Sequence, residues 1–326
     1  MLNFCTLFDS NYLVKGLCMY ESLKQTCSDF HLFIFAFDDK AYSILKNLKL
    51  ASVSVISLAE FEDEELLNVK DSRSKGEYCW TSTSSTILFC IQQYHLSHCT
   101  YIDADLFFYD DPKVLVDEMG SNDVLITSHR YTPEYDQAAT SGKYCVQFMT
   151  FRNTENGINV LKWWRNACLS WCYARVEDGK FGDQKYLDDW TTRFNGIHEL
   201  NHLGGGVAPW NMQQYSFQKR GNHIIGQEIN SKHAFNLVFF HFHAILSNKI
   251  GLINEFYFEG YRLNSSTKKL LYLPYISRLK QQYRSLKKSE KNFDGLATNK
   301  ISLLNYVKTL RWRMLNNDYN YTFWVK

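Results

Sequence analysis

Two carboxylates one residue apart are the clearest chemical feature of the sequence. Asp103 and Asp105 follow an apolar, β-prone segment at residues 100–102. If that segment is a strand end, side chains two positions apart point to the same side, and the two carboxylates converge. They would repel each other unless a cation lies between them. Oxygen ligands favour Mg²⁺ or Mn²⁺, and such an ion can neutralise a diphosphate as a leaving group.

A simpler explanation is a strand end with two solvated acids, because short motifs often match by chance. The surroundings favour the metal hypothesis. An apolar strand precedes the pair, and Asp-Asp-Pro at residues 110–112 closes it as a turn. The carboxyl end of a strand is where open α/β sheets bind their ligands.

The elements that would position this pair alternate between strands and helices, which predicts a doubly wound α/β sheet. Continuous apolar runs indicate strands buried on both faces, and apolar residues at helical spacing indicate the helices between them. We predict strands at residues 3–8, 31–37, 53–56, 100–102, 123–127 and 142–151, and helices at residues 12–24, 41–50, 61–69, 85–94, 114–119 and 157–174.

The segment Tyr-Ile-Asp-Ala-Asp-Leu at residues 101–106 resembles the Asp-x-Asp motif of metal-dependent, nucleotide-sugar-using glycosyltransferases of the GT-A fold. The resemblance is closest to the glycogenin and bacterial lipopolysaccharide galactosyltransferase group. It implies a Rossmann-like, mixed, mainly parallel sheet flanked by helices, with a helical C-terminal extension. It also implies that Asp103 and Asp105 bind the metal and that Asp103 and Ala104 contact the nucleotide.

The first predicted strand and turn carry Thr-Leu-Phe-Asp-Ser-Asn-Tyr-Leu at residues 6–13. A generic strand–turn–helix unit would explain this pattern equally well. The segment also resembles the nucleoside-binding turn of the same enzymes, which implies that Phe8, Asp9, Asn11 and Tyr12 bind the nucleotide. Tyr12 could stack on a base of the size of uracil.

The strand at residues 142–151 departs from the resembled pattern. The related enzymes present an Asn and a Gly to the donor sugar here, whereas this chain has Cys145 and Gln147. Gln147 could supply a replacement amide for the sugar.

Asp183 and Gln184 follow Gly182, which permits an unusual backbone conformation. A helix starting here would direct both side chains from its first turn into a cleft, although a simple N-cap Asp explains the same pattern. The resemblance implies catalytic roles. In the related enzymes the Asp of this pair binds donor or acceptor hydroxyls, and the Gln lies near the β face of the anomeric carbon.

Three consecutive glycines at residues 204–206 precede Pro-Trp-Asn. They could simply form a flexible turn. Alternatively, they could let the backbone approach a ligand closely, with backbone amides near phosphate oxygens. We assign Gly205 and Gly206 to the sugar and acceptor region. The Pro-Trp-Asn end resembles the segment that follows the Asp-Gln pair in the related enzymes.

A late histidine pair completes the candidate metal site. His241 and His243 would share one side of a strand, and a buried structural pair is the simpler explanation. The resemblance implies that His241 is the third metal ligand, with His243 as the alternative. Ala244 replaces the glycine of the resembled pattern, and the Lys-Pro-Trp expected after it is absent, leaving only Lys249 nearby.

Composition places the chain among ordinary globular proteins. Of 326 residues, 45% are apolar and 21% charged, and the net charge of +2 gives no reason to expect nucleic-acid binding. Nine cysteines without a Cys-x-x-Cys pair argue against a zinc ribbon. The odd count and the lack of a signal peptide favour a cytoplasmic location. No run reaches the ~20 apolar residues of a membrane span.

Composition changes toward the C-terminus, so we divide the chain into a catalytic domain at 1–255 and an extension at 256–326. Basic residues interleaved with aromatics suit anionic lipid headgroups, which predicts peripheral contact with the inner face of the cytoplasmic membrane. The alternative is a solvated basic helix packed on the catalytic domain. The basic and aromatic residues are Arg278, Lys280, Arg284, Lys287, Lys288, Lys291, Lys308, Arg311, Trp312, Arg313, Tyr319, Tyr321, Phe323 and Trp324.

The resemblance, carried by these motifs in order along the chain, implies an enzyme that moves a sugar from a nucleotide-sugar, UDP-linked, to a glycan or lipid-linked acceptor. The resemblance implies Mn²⁺ or Mg²⁺, retention of anomeric configuration, and synthesis of bacterial surface polysaccharide or lipopolysaccharide. Three alternatives stay open: an inverting enzyme with Asp183 or Asp188 as base, a metal-dependent nucleotidyltransferase or phosphohydrolase, and a carbohydrate-binding protein without activity.

Overall fold

The computed structural model describes residues 1–250, 253–258, 260–290, 293, 298–300 and 321–325. Strands and helices alternate through the first half, as the apolar patterns predict. The strands are β1 (Leu2–Phe8), β2 (Phe30–Ala36), β3 (Val53–Ser57), β4 (His98–Ile102), β5 (Leu106–Phe108), β6 (Val124–Ser128), β7 (Tyr144–Arg152), β8 (Ile197–Glu199), β9 (Tyr215–Arg220), β10 (His223–Glu228), β11 (Ala234–Asn236), β12 (Phe239–His241), β13 (Ile245–Ile250), β14 (Ile253–Phe258), β15 (Thr298–Lys300) and β16 (Tyr321–Val325).

Helices connect these strands and close the C-terminal part. A π-helical turn at Lys268–Tyr272 joins the last two helices into one continuous run. The helices are α1 (Leu13–Thr26), α2 (Asp39–Leu48), α3 (Leu58–Phe61), α4 (Glu64–Lys70), α5 (Lys75–Gln93), α6 (Lys113–Glu118), α7 (Ala138–Ser141), α8 (Glu155–Ser170), α9 (Trp190–Arg193), α10 (Ser265–Thr267) and α11 (Leu273–Ser289).

A seven-stranded sheet in the order β3-β2-β1-β4-β7-β6-β8 forms the centre of the molecule. The first four strands of that order are parallel, β7 is antiparallel to both its neighbours, and β8 is parallel to β6. The expected mixed, mainly parallel sheet is therefore confirmed. Because β1 and β4 are parallel neighbours, the turn after β1 and the acids after β4 lie at the same edge of the sheet.

The two faces of the sheet bury separate apolar cores. Alternate residues of β1 divide between them: Phe4 and Phe8 pack with α1, whereas Cys5 and Leu7 face α5 and α8. Helices thus cover both faces, which is why the central strands are apolar throughout rather than alternating.

Helix α5 begins ten residues earlier than predicted, at Lys75 rather than residue 85. Ser74 and Glu77 form a capping box at its start. The Ser- and Thr-rich stretch that follows looks polar, but its residues are buried, and the hydroxyls of Thr81 and Thr83 donate to the carbonyls four residues earlier. Backbone bonds of this kind satisfy these two hydroxyls inside the helix, so a stretch that looks like a polar loop continues α5 toward its N-terminus.

No α-helix begins at Asp183. Instead, a 3₁₀ turn at Lys185–Leu187 precedes the short α9. The indole Nε1 of Trp164 donates to the Asp183 carbonyl at 2.9 Å, and the Leu187 amide bonds to Gln184 at 3.0 Å rather than to Asp183. The indole of Trp164 thus occupies the Asp183 carbonyl, which would accept a backbone amide if an α-helix began here.

The C-terminal part packs on the sheet layer. Helix α11 buries Tyr275, Ile276 and Leu279 in the same apolar core as α1, and β13 and β14 form a hairpin in a four-stranded sheet with β15 and β16. The expected helical extension is confirmed. The division at residues 255 and 256 falls inside β14 and stays a prediction.

Some of the predicted C-terminal contacts lie outside the described residues, namely Lys291, Lys308, Arg311, Trp312, Arg313 and Tyr319. Tyr321, Phe323 and Trp324 belong to β16, of which only the backbone is described. Among the helices described, none combines the length and apolarity needed to cross a bilayer.

Candidate metal centre

A tight turn between β4 and β5 presents the two acids. The Asp103 amide donates to the carbonyl of Gln147 on the neighbouring β7 at 3.0 Å, and the Leu106 amide donates back to the Asp103 carbonyl at 3.2 Å. The backbone of the turn is therefore held at both ends, and the side chains of Asp103 and Asp105 leave it at the carboxyl edge of the sheet. Asp103 is 28% exposed, whereas Asp105 is 9% exposed.

Strand pairing brings His241 to the acids across 136 residues of sequence. Strand β12 runs antiparallel to β5, with His241 opposite Leu106. The His241 Nε2 atom lies 3.0 Å from Asp105 Oδ1 and 3.7 Å from Asp103 Oδ2. One ligand atom from each of the three side chains lies within 4.8 Å of the others, as coordination of one ion requires.

Gln147 orients the imidazole. Its Oε1 lies 2.9 Å from His241 Nδ1, so Nδ1 is the protonated nitrogen and Nε2 faces the two carboxylates. Gln147 is fully buried, and its Nε2 has no partner among the described residues. Tyr101 supports the site in a similar way, because its hydroxyl donates to Asp103 Oδ1 at 2.9 Å.

Charge is concentrated at this point. Burial opposes ionisation of Asp105, but His241 and Lys15 outweigh it and hold the pKa of the carboxyl well below its usual range. The pKa of Asp103 is raised, mainly by burial. Burial also disfavours the charged imidazole of His241, yet the neighbouring carboxylates raise its pKa well above 6.5. A metal ion would therefore displace a proton from His241.

The donor set fits a divalent ion. Two carboxylates and one imidazole would supply three ligand atoms, fewer than Mg²⁺ or Mn²⁺ takes, so substrate oxygens could fill the other positions. His243 lies outside this group. Strand β12 ends at His241, so the expectation that both histidines share one side of a strand is wrong. His243 is exposed, and its ring centroid lies 5.8 Å from that of His241. Ala244 has a φ of 62°, a left-handed conformation that suits the glycine of the resembled pattern.

The turn after β1 is ordered by its own hydrogen bonds. The Asp9 carboxylate accepts from the Asn11 amide at 3.0 Å, from Asn11 Nδ2 at 2.9 Å and from the Tyr12 amide at 3.3 Å. Tyr12 is 41% exposed, so its ring is available to a ligand. Phe8 is buried beneath this turn, and Ala104, between the two acids, is also buried.

Asp183 lies close enough to Asp103 for the two carboxyls to interact, and Gln184 follows it in the chain. Asp183 is 5% exposed, and burial together with the charge of Asp103 raises its pKa to about 8. The side-chain amide of Gln184 donates to the Ser141 carbonyl at 2.7 Å. The structure thus brings Asp183 into the electrostatic field of the acid pair.

The Gly-rich segment runs beside β12, since the His241 amide donates to the Val207 carbonyl at 2.9 Å. A Cβ on Gly206, whose φ is 88°, would lie 2.7 Å from Thr127 Cγ2 and 3.2 Å from Gln147 Nε2. A Cβ on Gly205 would meet Leu115 and Leu200. These glycines therefore allow close packing next to the candidate centre.

Three contributing residues were missed in the sequence. Lys15 lies 3.5 Å from Asp105, Tyr101 bonds to Asp103, and Arg130 donates to the carbonyls of His202 and Gly205 in the Gly-rich segment. Lys15 follows Tyr12 by three residues, a helical spacing that could have placed both at the start of α1. Arg130 carries no comparable signal, because its position depends on a left-handed backbone at φ 48°.

No family model matches the chain. Two proteins of Bacillus subtilis (strain 168) are each 29% identical to it. The uncharacterized protein YfnD aligns over 290 residues, which is 86% of this chain and 89% of that protein. The uncharacterized protein YfnF aligns over 263 residues, 77% of this chain and 85% of that protein.

Among solved structures, the crystal structure of the galactosyltransferase LgtC in complex with donor and acceptor sugar analogs superposes with a TM-score of 0.50. The alignment covers 86% of this chain and 96% of that one, at 11% identity. An alignment of this extent at so low an identity establishes the fold. The chain therefore has the GT-A fold, as its Asp-x-Asp segment predicted.

Proposed function

We propose that this chain is a metal-dependent glycosyltransferase that moves a sugar from a nucleotide-sugar, UDP-linked, to an acceptor hydroxyl. The observation that carries this proposal is the convergence of Asp103, Asp105 and His241 at the carboxyl edge of the sheet. The exposed ring of Tyr12 lies at the same edge, where a nucleoside would bind. The shared fold with a galactosyltransferase supports the same reaction class.

The proposed ion is Mn²⁺ or Mg²⁺. Carboxylate oxygens suit both, and an imidazole nitrogen is bound more readily by the transition metal. When bound, the ion would supply the charge that neutralises the departing diphosphate. Asp103, Asp105 and His241 would hold it, and Gln147 would keep His241 in the tautomer that offers Nε2.

The nucleoside would bind along the turn after β1. Tyr12 offers a ring for stacking on the base, while Asp9 and Asn11 fix the turn through their mutual hydrogen bond. Phe8 would support the turn from below, and Ala104 would leave room for the ribose between the two acids.

The sugar would lie between the metal site and Asp183. With a pKa of about 8, Asp183 stays protonated at neutral pH and can donate a hydrogen bond to a sugar hydroxyl. The amide nitrogen of Gln184 donates to the Ser141 carbonyl, which leaves the amide oxygen for the proposed contact near the anomeric carbon. The unpartnered Gln147 Nε2 and the backbone of Gly205 and Gly206 would complete this region. We propose retention of anomeric configuration.

Inversion is the second candidate, and one observation favours it. An inverting enzyme needs a general base poised near neutral pH, and the raised pKa of Asp183 meets that need. Asp188 suits the role less well, because it accepts from Lys185 Nζ and from the Lys143 amide, both at 2.7 Å. The anomeric configuration of the product, determined by NMR, decides between the two outcomes.

We further propose that the acceptor is a glycan or a lipid-linked intermediate of bacterial surface polysaccharide or lipopolysaccharide synthesis. Helix α11 buries its apolar face and exposes Arg278, Arg284, Lys287 and Lys288 on the other side. Such a face would contact anionic lipids at the inner surface of the cytoplasmic membrane. Binding to anionic vesicles that weakens with added salt would support this contact, and equal binding to neutral vesicles would contradict it.

A thermal-shift screen of nucleotide-sugars with and without Mn²⁺ tests the proposed function. A UDP-sugar should raise the melting temperature only when Mn²⁺ is present, because ligand binding stabilises the native state. Incubation with that donor and product analysis then separate the reaction classes. Release of UDP indicates sugar transfer or donor hydrolysis, release of UMP indicates cleavage of the diphosphate, and an unchanged donor indicates a binding protein.

A further inference from the structure

Lys15 lies beside the candidate metal centre but is not one of its proposed ligands. It lies in the first turn of α1, and its side chain is 15% exposed. The ammonium nitrogen lies 3.5 Å from Asp105 Oδ2 and 4.3 Å from the centroid of the Tyr12 ring. A lysine held at this depth loses much of its rotamer freedom, so the position needs compensating contacts.

The ammonium group therefore lies between two parts of the proposed donor site. Tyr12 is the ring offered to the base, and Asp105 belongs to the metal group. A nucleoside diphosphate that spans these two points has its phosphates where Lys15 Nζ lies. Lysine binds phosphate as a point charge with three donors, and it needs no fixed geometry to do so.

Two arginines of the described residues, Arg130 and Arg73, already have other partners. Arg130 donates to the His202 and Gly205 carbonyls. Arg73 donates to the Leu169 carbonyl at 3.2 Å and lies 3.9 Å from the Tyr173 ring centroid. Lys15, in contrast, contacts the carboxylate of Asp105, which would bind the proposed metal.

We propose that Lys15 binds the phosphates of the nucleotide-sugar donor and moves from Asp105 to a phosphate oxygen when the metal and the donor bind. A divalent ion bound to Asp105 would repel the positively charged ammonium of Lys15 and so weaken its contact with that carboxylate. The phosphate oxygens then offer the nearest negative charge. This inference rests on the proposed function and adds a donor-binding residue to it.

The test separates phosphate binding from nucleoside binding. UDP and uridine are titrated calorimetrically into the wild-type protein and into Lys15→Gln, both in excess Mn²⁺. A charge-assisted hydrogen bond is worth ~1.5–3 kcal/mol, so Lys15→Gln should weaken UDP binding by about tenfold or more. Uridine affinity should change less than about twofold, because uridine carries no phosphate. Binding of Mn²⁺ alone should be unchanged or tighter, since Asp105 loses a competing cation.

Lys24→Gln is the matched control. Lys24 is an exposed lysine on the same helix, and its ammonium lies 5.9 Å from the centroid of the Tyr20 ring. This substitution should leave the affinities for UDP, uridine and Mn²⁺ as in the wild type. It thus accounts for any general effect of removing a lysine from α1.

Three results would overturn the inference. Unchanged UDP affinity in Lys15→Gln would exclude a phosphate contact. An equal loss of UDP and uridine affinity would assign Lys15 to the support of Tyr12 instead. Failure of the wild-type protein to bind UDP in Mn²⁺ would contradict the proposed donor itself, and that outcome is recognised before any variant is made.

Discussion

Among the described residues, two groups of three side chains bring together atoms that could hold a metal ion, and both groups lie next to the central sheet. Asp103, Asp105 and His241 form one, and Cys5, Cys90 and Cys99 form the other. In each group the three ligand atoms lie within 4.8 Å of one another. The acids lie at the carboxyl edge of the sheet, whereas Cys5 of β1 and Cys99 of β4 point into the core and meet Cys90 of α5.

The surroundings distinguish the two groups more than the spacing does. The acid group is partly open to solvent through Asp103 and has polar partners such as Gln147 that orient its ligands. The three thiols have no exposed surface and lie among aliphatic and aromatic side chains. Free cysteines in such places behave as small apolar residues. Convergence alone therefore does not make a metal site; access and oriented ligands do.

The largest expected effect is from Asp105→Asn. The substitution keeps the shape of the side chain but removes its charge, so metal-dependent sugar transfer should be abolished. Loss of a residue that orients a metal ligand lowers metal affinity by ~10–100-fold. Loss of the ligand itself should lower metal affinity by more. Calorimetric titration with Mn²⁺ and a transfer assay measure both effects. Full wild-type activity in the presence of a chelator would show that the acid group, like the cysteine group, is not a functional metal site.

Gln147→Leu tests the importance of ligand orientation. Leucine fills similar space but cannot accept the proton of His241 Nδ1, so the imidazole is no longer fixed. Affinity for Mn²⁺ should fall by about 10–100-fold while all three ligands stay in place. Wild-type affinity in a folded Gln147→Leu protein, checked by circular dichroism, would show that orientation contributes little.

Asp183, on the acid side, gives the stability of the protein a pH dependence. Its folded pKa of about 8 exceeds the ordinary value of 3.8, so the native state binds a proton that the unfolded chain has released. Its contribution to stability is thus fully present below pH 3.8 and declines until about pH 8. Within this window the slope is about 1.4 kcal/mol per pH unit.

Asp183→Asn should remove that decline, which denaturant unfolding at several pH values in chelator would measure. Saturating Mn²⁺ should make the decline smaller in the wild type, because the ion compensates the charge of Asp103, but burial, the larger cause of the raised pKa, remains. Identical pH profiles for the wild type and Asp183→Asn would contradict the raised pKa.

The smallest effect is expected from Cys90→Ala. Loss of a buried sulfur leaves a small cavity, and the free energy of unfolding should fall by about 1 kcal/mol. Affinity for Mn²⁺ and the rate of sugar transfer should be unchanged, because the thiols only pack. A lower metal content of the purified Cys90→Ala protein, measured by mass spectrometry, would instead assign a metal to the cysteines.

Local patterns predicted the parts of the fold and site that depend on neighbouring residues. Apolar runs located β1 and β2. The two-residue spacing predicted that Asp103 and Asp105 converge, although a turn rather than a strand brings them together. His241 was reached only through a resemblance, because its contact with Asp105 depends on the pairing of β12 with β5. The start of α5 was missed because its buried hydroxyl residues look like a loop. Lys15 was missed because its approach to Asp105 depends on how α1 packs against β5.

Mn²⁺ bound to the wild-type protein and examined by pulsed electron paramagnetic resonance tests the proposed centre most directly. We expect one ion per chain with the nitrogen coupling of one imidazole, and loss of that coupling in His241→Ala. His243→Ala should keep it, which makes this exposed neighbour the control. Absence of bound Mn²⁺, or coupling that survives in His241→Ala, would contradict the assignment of Asp103, Asp105 and His241 as the metal ligands.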